Sequence, residues 1–304
     1  MQAQGTFDVP VKGLIISNIF HVITLGLVLK YIHYDPIFLT ASVASVSMLI
    51  DYGLLRYFSI GLIDHTNFLG IFDGAFEDWW EYLELALPSA FIICAEWWMY
   101  EVLALFAGLL GVEYLATTVI IFNIHNFVYD ISYGLSQAAS SLIGRTLAES
   151  GKAAAKKLLV LISLIQLFLC VVMTVIYLVF PRQIIMIFTD EERLIDLYLE
   201  CVYYIIVMFV TALTQIVMGG VIRGIGEQGD ASIISFISYA LITLPFALIL
   251  SFWFDLKLQG IILAYIMGIT FNTVFNCYLL ANSDWELAIE ETLESEYKEI
   301  EEEP

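Results

Sequence analysis

The sequence predicts an all-α integral membrane protein with about eight transmembrane helices. Its mean hydropathy is +0.86, and 14% of its 304 residues are charged, against about 25% in an average globular domain. Four stretches lack Asp, Glu, Lys and Arg, and each is longer than the ~20 residues that cross a bilayer core as a helix. They are 158–181, 201–222, 231–254 and 258–283. Strands of a membrane barrel would instead alternate in runs of about 10 residues.

Each helix is read outward from its apolar core to the flanking Gly, Pro and charged residues. The stretches 13–29 and 114–129 are shorter and reach spanning length once their flanks are added. Most links are short, so consecutive helices are expected to pack antiparallel. The segment 64–84 is acidic and rich in Trp and Phe, which is typical of an interfacial segment. The predicted helices are 9–30, 36–62, 80–110, 113–143, 155–181, 194–223, 230–254 and 258–283.

Lysine and arginine residues are distributed unevenly between the two sides of the predicted bundle. The side with more of them is predicted to be cytoplasmic. The segment 284–304 lies on that side and holds ten acidic residues against one lysine, so we expect a disordered cytoplasmic tail and no nucleic-acid partner. The predicted cytoplasmic group is Lys12, Arg56, Arg145, Lys152, Lys156, Lys157 and Arg223, and the opposite group is Lys30, Arg182, Arg193 and Lys257.

A short motif precedes an apolar run twice, as QAQG at 2–5 and as GEQG at 226–229. Membrane transporters commonly contain duplicated bundles. Within its own lobe the second copy follows four predicted helices, at 80–223, whereas the first copy follows none, so we expect four further helices before Met1 that the function requires. The predicted organisation is 1–62 as the last two helices of an N-terminal lobe, 63–79 as a cytoplasmic or interfacial linker, 80–283 as a six-helix C-terminal lobe, and 284–304 as the tail.

Glu96 and Glu101 lie in a predicted helix that is otherwise apolar from 85 to 112. An ionised carboxylate there is costly, and no other predicted span carries Lys or Arg near its middle. A carboxylate that binds either a proton or a cation can exchange one for the other. The two acids are about 140° apart around the helix, so they cannot face one ion. We assign ion coupling to Glu96 and substrate binding to Glu101; the alternative is a structural ion pair with a neighbouring helix.

Aromatic and polar residues near these acids are candidates for substrate binding. The rings of Trp97 and Tyr100 can bind an organic cation or can pack against lipid and core. Asn123 and Gln215 are polar residues in apolar helices and need partners inside the bundle. His125 is interpreted as a core or interface histidine, and the alternative is a proton relay. Pro88 lies near the start of its helix, where it removes one backbone hydrogen bond, and is assigned a structural role.

Taken in order, several sequence blocks resemble the eukaryotic branch of the multidrug and toxic compound extrusion (MATE) family. The blocks extend across nearly the whole chain. Several are weak individually, whereas the combination of Pro88, Glu-Trp-Trp at 96–98 and the Arg-Gly-x-Gly-x-Gln pattern at 223–228 is specific. The blocks that carry the resemblance are QAQG at 2–5, LALPS at 85–89, EWWMYE at 96–101, YGLS at 133–136, AAS at 138–140, IFTD at 187–190, GVIRGIGEQ at 220–228, Tyr239, and LP at 244–245.

The resemblance implies two six-helix lobes around a central cavity, of which this chain would supply two helices of the first lobe and all six of the second. It implies export of organic cations or other amphipathic compounds by antiport with H⁺ or Na⁺, with no cofactor beyond that ion. The expected partners are the lipid bilayer and small organic or cationic substrates, and the expected location is the plasma membrane or a vacuolar or vesicular membrane. The family match places functional acids at Glu96 and Glu101 and a polar group at Gln215, and Arg223 and Gly224 are assigned structural roles.

The sequence departs from the family pattern at two positions. Ala212 stands where an acid is usual, and Ser132 stands where a proline is usual. The missing acid puts a coupling site of two carboxylates in doubt. Asp130, on the neighbouring helix, is the candidate substitute and is assigned an ion-coupling role.

Two other classes of function compete with transport. The first is a truncated, non-transporting membrane protein in which the acids are relics. The second is an intramembrane enzyme, which is disfavoured because the sequence has no His-Glu-x-x-His, Gly-x-Ser-x-Gly or paired aspartates at catalytic spacing. The phosphate-loop pattern of an ATP-driven pump is also missing. We therefore expect a transporter and not an enzyme.

The charge bias predicts the topology. Tags placed after Ser150 and after Pro304 should both be cytoplasmic, and a tag after Asp190 should be external. Protease protection of intact vesicles measures this directly. The reverse accessibility pattern would show that the orientation is wrong.

Overall fold

The computed structural model describes residues 8–59, 79–283 and 285, and between 79 and 96 it describes the side chains of Trp80, Leu83, Leu87 and Cys94 only. The predicted linker 63–79 and the predicted tail 284–304 therefore lie almost entirely outside the described residues. The described part is helical and contains no strand. The prediction of an all-α membrane fold is confirmed.

The helices follow the predicted order closely. In chain order they are α1 Asp8–Tyr31, α2 Pro36–Ser59, α3 Trp79–Leu110, α4 Val112–Val179, α5 Pro181–Ile185, α6 Glu192–Gly224, α7 Gln228–Phe236, α8 Leu244–Leu248 and α9 Lys257–Asn282. Two π-helical segments, Ile237–Thr243 and Ile249–Trp253, flank α8, so that 228–253 forms one helical span. The predicted helix 230–254 thus contains two local widenings around Pro245, whose missing N–H removes one backbone hydrogen bond.

Helix α4 differs from the prediction in its continuity. The sequence predicts separate helices at 113–143 and 155–181, and the structure instead continues the helix from Val112 to Val179 with one break at Gly151. Gly151 has φ 76°, a left-handed conformation that glycine adopts without the steric cost of a side chain. The break at Gly151 divides α4 into two spans. The two halves meet again where the Ser132 hydroxyl donates to Gln166 Oε1 at 3.4 Å.

Two compact units divide the chain, and α1 and α2 belong to the first, Met1–Trp79. Small and polar residues join these two helices. The Ser17 hydroxyl donates to the Ser47 carbonyl oxygen at 2.8 Å, and His21 Nδ1 lies 3.0 Å from Ser47 Oγ. Such contacts substitute for hydrophobic driving force between helices in lipid.

The second unit, Trp80–Pro304, has α6 at its centre. One side of α6 packs against α4 and another side packs against α9. The aromatic residues Tyr198 and Phe209 on α6 and Tyr265 on α9 are among the largest fully buried side chains of the unit. At one end of the unit, Trp285 is buried, with the Lys156 ammonium 5.8 Å from its ring centroid. The core is thus built around α6, which is the most buried of the candidate spans in the described part of the chain.

Exposed apolar side chains show where lipid contacts the second unit. A stripe along the second half of α4 recurs every three or four residues, which is one face of a helix. In the described part of the chain, six helical segments are long and apolar enough to span a bilayer, and α4 counts as one of them. The stripe is therefore lipid-facing; its members are Leu161, Leu164, Phe168, Val171 and Val175.

The contact between α4 and α6 yields a stability prediction. A Cβ added at Gly220 would overlap the Ser136 carbonyl oxygen, whereas a Cβ at Gly134 meets nothing within 4 Å. We expect Gly220→Val to lower the free energy of unfolding by about 1–3 kcal/mol or more, as overpacking does, and Gly134→Val to leave it nearly unchanged. Unfolding in detergent, followed by fluorescence, measures both. Equal stability of the two variants would contradict the close packing described above.

Candidate functional site

A cavity of about 590 Å³ opens inside the second unit. Its volume lies within the range of small-molecule sites, about 300–1,000 Å³. Five helices contribute to its wall: α3, α4, α6, α7 and α9. The lining residues are Trp97, Tyr129, Asp130, Tyr133, Gln137, Gln215, Ile216, Gly219, Ile222, Arg223, Gln228, Ala231, Ser232, Ser235 and Asn276.

Helical periodicity explains how the wall is assembled. On α4 the lining residues Tyr129, Tyr133 and Gln137 are four apart, which places them on one face. On α6 the spacing from Gln215 to Gly219 is the same. The polar positions of α7 also recur every three or four residues. Helices α4 and α7 therefore each present a polar stripe to the cavity, and α6 presents Gln215 and Arg223 among apolar and small residues.

Aromatic rings supply the apolar surface of the cavity. The rings of Tyr129 and Tyr133 are stacked, with centroids 6.0 Å apart and an interplanar angle of 16°. Trp97 lines the cavity and is 52% exposed. The faces of such rings attract cations, with Trp the strongest of them. The wall can therefore bind the apolar body of an amphipathic ligand and also a cationic group.

Asp130 and Arg223 bring charges to the same cavity. Arg223 is anchored from one side, because its Nη2 donates to Ser136 Oγ at 2.9 Å and that hydroxyl donates to the Ile216 carbonyl oxygen at 2.6 Å. This arrangement ties the end of α6 to the middle of α4. Arg223 thus contributes to helix packing as well as to the cavity wall.

A second polar cluster lies in the core of the unit. The Tyr100 hydroxyl is 3.1 Å from His125 Nε2 and 2.6 Å from the Tyr265 hydroxyl, so the cluster joins α3, α4 and α9. The His125 ring is fully buried and stacks on Phe209 with centroids 5.4 Å apart. The prediction of a core location for His125 agrees with this placement. None of Tyr100, His125 and Tyr265 lines the cavity.

The structure brings together some of the predicted site residues and separates others. Trp97, Asp130, Gln215 and Arg223 line the cavity, whereas Tyr100 belongs to the buried cluster, three residues from Trp97 on α3. Tyr100 links α3 to this core cluster, and the substrate-binding role given to it stays a prediction.

Glu101 and Asn123 are exposed and do not line the cavity. Asn123 Nδ2 donates to the Val119 carbonyl oxygen one turn earlier, at 2.8 Å. Glu96 and Pro88 lie within α3, but their side chains fall outside the described part of the structure. The functional roles of these residues stay predictions.

Gly224 allows a second close approach in the predicted motif at the end of α6. A Cβ there would lie 2.7 Å from the Ser140 carbonyl oxygen. The structural role assigned to Gly224 is in keeping with this contact. The chain leaves the helical conformation at Gly226, which has φ 85°, just before α7 begins.

Several cavity residues were not among the predicted site residues. The signal that could have found them is the spacing of polar residues within apolar helices, which marks the face that meets neither lipid nor core. These residues are Tyr129, Tyr133, Gln137, Gln228, Ser232, Ser235 and Asn276. Asn276 lies on α9, far along the chain from the others, and only the packing of α9 beside α7 brings it to the cavity.

The fold and the cavity define a polytopic helical membrane protein with a ligand-sized cavity inside its bundle. Residues 88–249, more than half of the chain, match the family described as MatE, and the chain belongs to this family. The resemblance seen in the sequence blocks is therefore confirmed.

The curated relatives include multidrug and toxin extrusion proteins of animals and a DETOXIFICATION protein of a plant. The chain is 33% identical to multidrug and toxin extrusion protein 2 of Oryctolagus cuniculus over 220 residues, which cover 70% of this chain and 36% of the relative. It is 29% identical to the human protein of the same name, covering 78% and 40%. It is 27% identical to Protein DETOXIFICATION 24 of Arabidopsis thaliana, covering 72% and 44%. The chain thus spans less than half the length of these curated relatives.

Solved structures show the same fold. The eukaryotic MATE transporter AtDTX14 superposes with a TM-score of 0.84 at 20% identity, covering 97% of this chain and 66% of that chain. An outward-facing multidrug resistance MATE family transporter of the MOP superfamily superposes with a TM-score of 0.71 at 17% identity, covering 87% and 59%. At these identities the match concerns the helical architecture alone.

The buried cluster yields a prediction. Tyr100→Phe removes the hydroxyl that bridges His125 and Tyr265, so we expect the free energy of unfolding to fall by about 1–3 kcal/mol. The matched control is Tyr278→Phe, because Tyr278 is 66% exposed on α9. Thermal unfolding in detergent distinguishes the two variants. If both unfold at the midpoint of the unmodified protein, the cluster does not stabilise the core.

Proposed function

We propose that the chain forms the C-terminal lobe of a secondary active transporter that exports organic cations or other amphipathic compounds by antiport with H⁺ or Na⁺. The observation that carries this proposal is the cavity, where the Asp130 carboxylate and three aromatic rings line one wall of a MatE-family fold. The names of the relatives, which describe multidrug and toxin extrusion, support it.

The cavity wall suggests how one site accepts varied compounds. A cationic head can bind near Asp130 and over the Tyr129 and Tyr133 rings, where charge and cation-π attraction act together. The apolar body of the ligand can pack on Trp97 and Ile222 without any fixed hydrogen bond. Contacts of this kind tolerate different ligand shapes. The cavity would therefore select a chemical class of ligand and not a single compound.

Coupling requires a group that binds either the ion or the substrate. A carboxylate that binds either a proton or a cation, but not both at once, links proton release to cation binding. Glu96 on α3 and Asp130 in the cavity wall are proposed for this role, with Glu101 as a counter-charge for cationic substrates. Two lobes that alternate in access would carry the exchange across the membrane.

The alternative of a non-transporting membrane protein is less well supported. A relic lobe has no need to keep a cavity of ligand size whose polar lining residues come from four different helices. We place the transporter in the plasma membrane or in a vacuolar or vesicular membrane, with the tail in the cytoplasm, in accordance with the charge bias of its loops.

Transport of a fluorescent organic cation tests the proposal. The assay uses sealed vesicles with an imposed pH or Na⁺ gradient and the chain extended at its N terminus by four helices of a relative, as the predicted organisation requires. Glu96→Gln keeps the side-chain shape but cannot ionise, so we expect it to abolish gradient-driven transport while the protein still folds.

The matched control for Glu96→Gln is Glu149→Gln. Glu149 is exposed on α4 and pairs with Arg145 at 2.7 Å, away from the cavity, so its loss should leave the transport rate unchanged. If Glu96→Gln transports at the unmodified rate, the coupling role passes to Asp130. If neither gradient drives uptake by the unmodified protein, the antiport proposal is wrong.

A further inference from the structure

A ladder of buried polar side chains runs from α7 to α9 at the edge of the cavity. Ser235 and Asn276 both line the cavity, and Asn272 lies between them with no exposed surface. Asn276 is itself 2% exposed. The ladder is thus almost completely withdrawn from solvent, while its two ends border the cavity.

The hydrogen bonds of this ladder have a single consistent direction. The Ser235 hydroxyl donates its only proton to the Ala231 carbonyl oxygen at 2.9 Å, so it must accept from Asn272 Nδ2 at 3.0 Å. That bond orients the Asn272 amide and makes its Oδ1 the acceptor for Asn276 Nδ2 at 2.5 Å. Rotating the Asn276 amide would place two carbonyl oxygens against each other.

The ladder therefore ends on an acceptor that lacks a donor. Asn276 Oδ1 is buried and receives no hydrogen bond from the described residues. Buried acceptors of this kind are uncommon because each one loses its bonds to water without replacement. Asn276 lines the cavity, so a donor bound in the cavity can reach this oxygen.

The other groups of the cavity define what such a donor would be. Asp130 lines the same cavity and favours a cation. A protonated primary, secondary or tertiary amine carries both a positive charge and at least one N–H. A quaternary ammonium ion has the charge but no N–H, and the Tyr129 and Tyr133 faces would attract both kinds of ion.

We infer that Asn276 is a specificity-determining residue that makes the cavity prefer protonated amines to quaternary ammonium ions of the same shape. This inference rests on the proposed function, in which the cavity binds the transported cation. The amide oxygen accepts the ammonium N–H, and a small rotation of the side chain, common when ligands bind, opens it to the cavity.

Two ions that differ by one methyl group provide the test. Benzyldimethylammonium and benzyltrimethylammonium carry the same charge and ring, and only the first has an N–H. Isothermal titration of the purified chain in lipid nanodiscs measures both dissociation constants. We expect the amine to bind about tenfold more tightly, the effect of one hydrogen bond from a charged donor. This comparison uses the unmodified protein and needs no variant to fold.

Variants then assign the preference to one residue. Asn276→Leu keeps the approximate volume and removes the acceptor, so the ratio of the two dissociation constants should fall to about one. Asn282→Leu is the control, because Asn282 lies on the same helix, is exposed, and donates to the Tyr278 carbonyl oxygen at 2.8 Å outside the cavity. That variant should keep the ratio of the unmodified protein.

Each outcome discriminates between the inference and the proposed function. Equal affinity for the two ions, or tighter binding of the quaternary ion, overturns the inference and leaves the proposed function standing. A preference that persists in Asn276→Leu overturns the assignment to Asn276. If neither ion binds the unmodified chain, the inference is overturned, and gradient-driven transport by the extended chain decides separately whether the proposed function stands.

Discussion

The close packing of α4 against α6 is the contact on which the second unit depends. Lipid offers no hydrophobic driving force between helices, so small residues and interhelical hydrogen bonds must hold them together. Here Gly220 lets the Ser136 backbone approach, and the Ser136 hydroxyl donates to the Ile216 carbonyl oxygen. This contact sets the rotation of both helices, and it therefore turns the Tyr133 face of α4 and the Gln215 face of α6 toward one cavity.

Because the membrane core contains no water, the polar residues of the membrane region fall into two groups. Residues of the first group bond to each other in the core, as Tyr100, His125 and Tyr265 do. Residues of the second group face the cavity, where a ligand or water can satisfy them. Asn276 belongs to both groups, because its amide nitrogen completes a core ladder while its oxygen has no partner among the described residues. A residue that bonds both to the core and to the cavity can stabilise the helix bundle and also give the cavity selectivity for its ligand.

The helices themselves were largely predictable, and their deviations have local causes. Long charge-free runs predict spans because the thickness of the bilayer imposes a minimum helix length. The continuation of α4 to Gly151 was not predicted, since polar residues between the two apolar cores resemble a loop in sequence and yet form good helix. The π-helical widenings beside Pro245 are also invisible to hydropathy, because they change backbone hydrogen bonds and leave composition unaltered.

For this protein the sequence alone determined the all-α membrane class, the order of the spans and the candidacy of Gln215 and Trp97, because each depends on composition or on spacing within one helix. The family motifs, and the candidacy of Asp130 as a substitute for a missing acid, came from the resemblance to the MATE family. Tertiary structure decided which of these residues share a cavity, and it assigned Tyr100 to the core and Asn276 to the cavity wall. The physical reason is that the spacing of polar residues marks a candidate face of one helix, whereas contacts between helices, such as Ser136 with Gly220, decide which faces meet at one cavity.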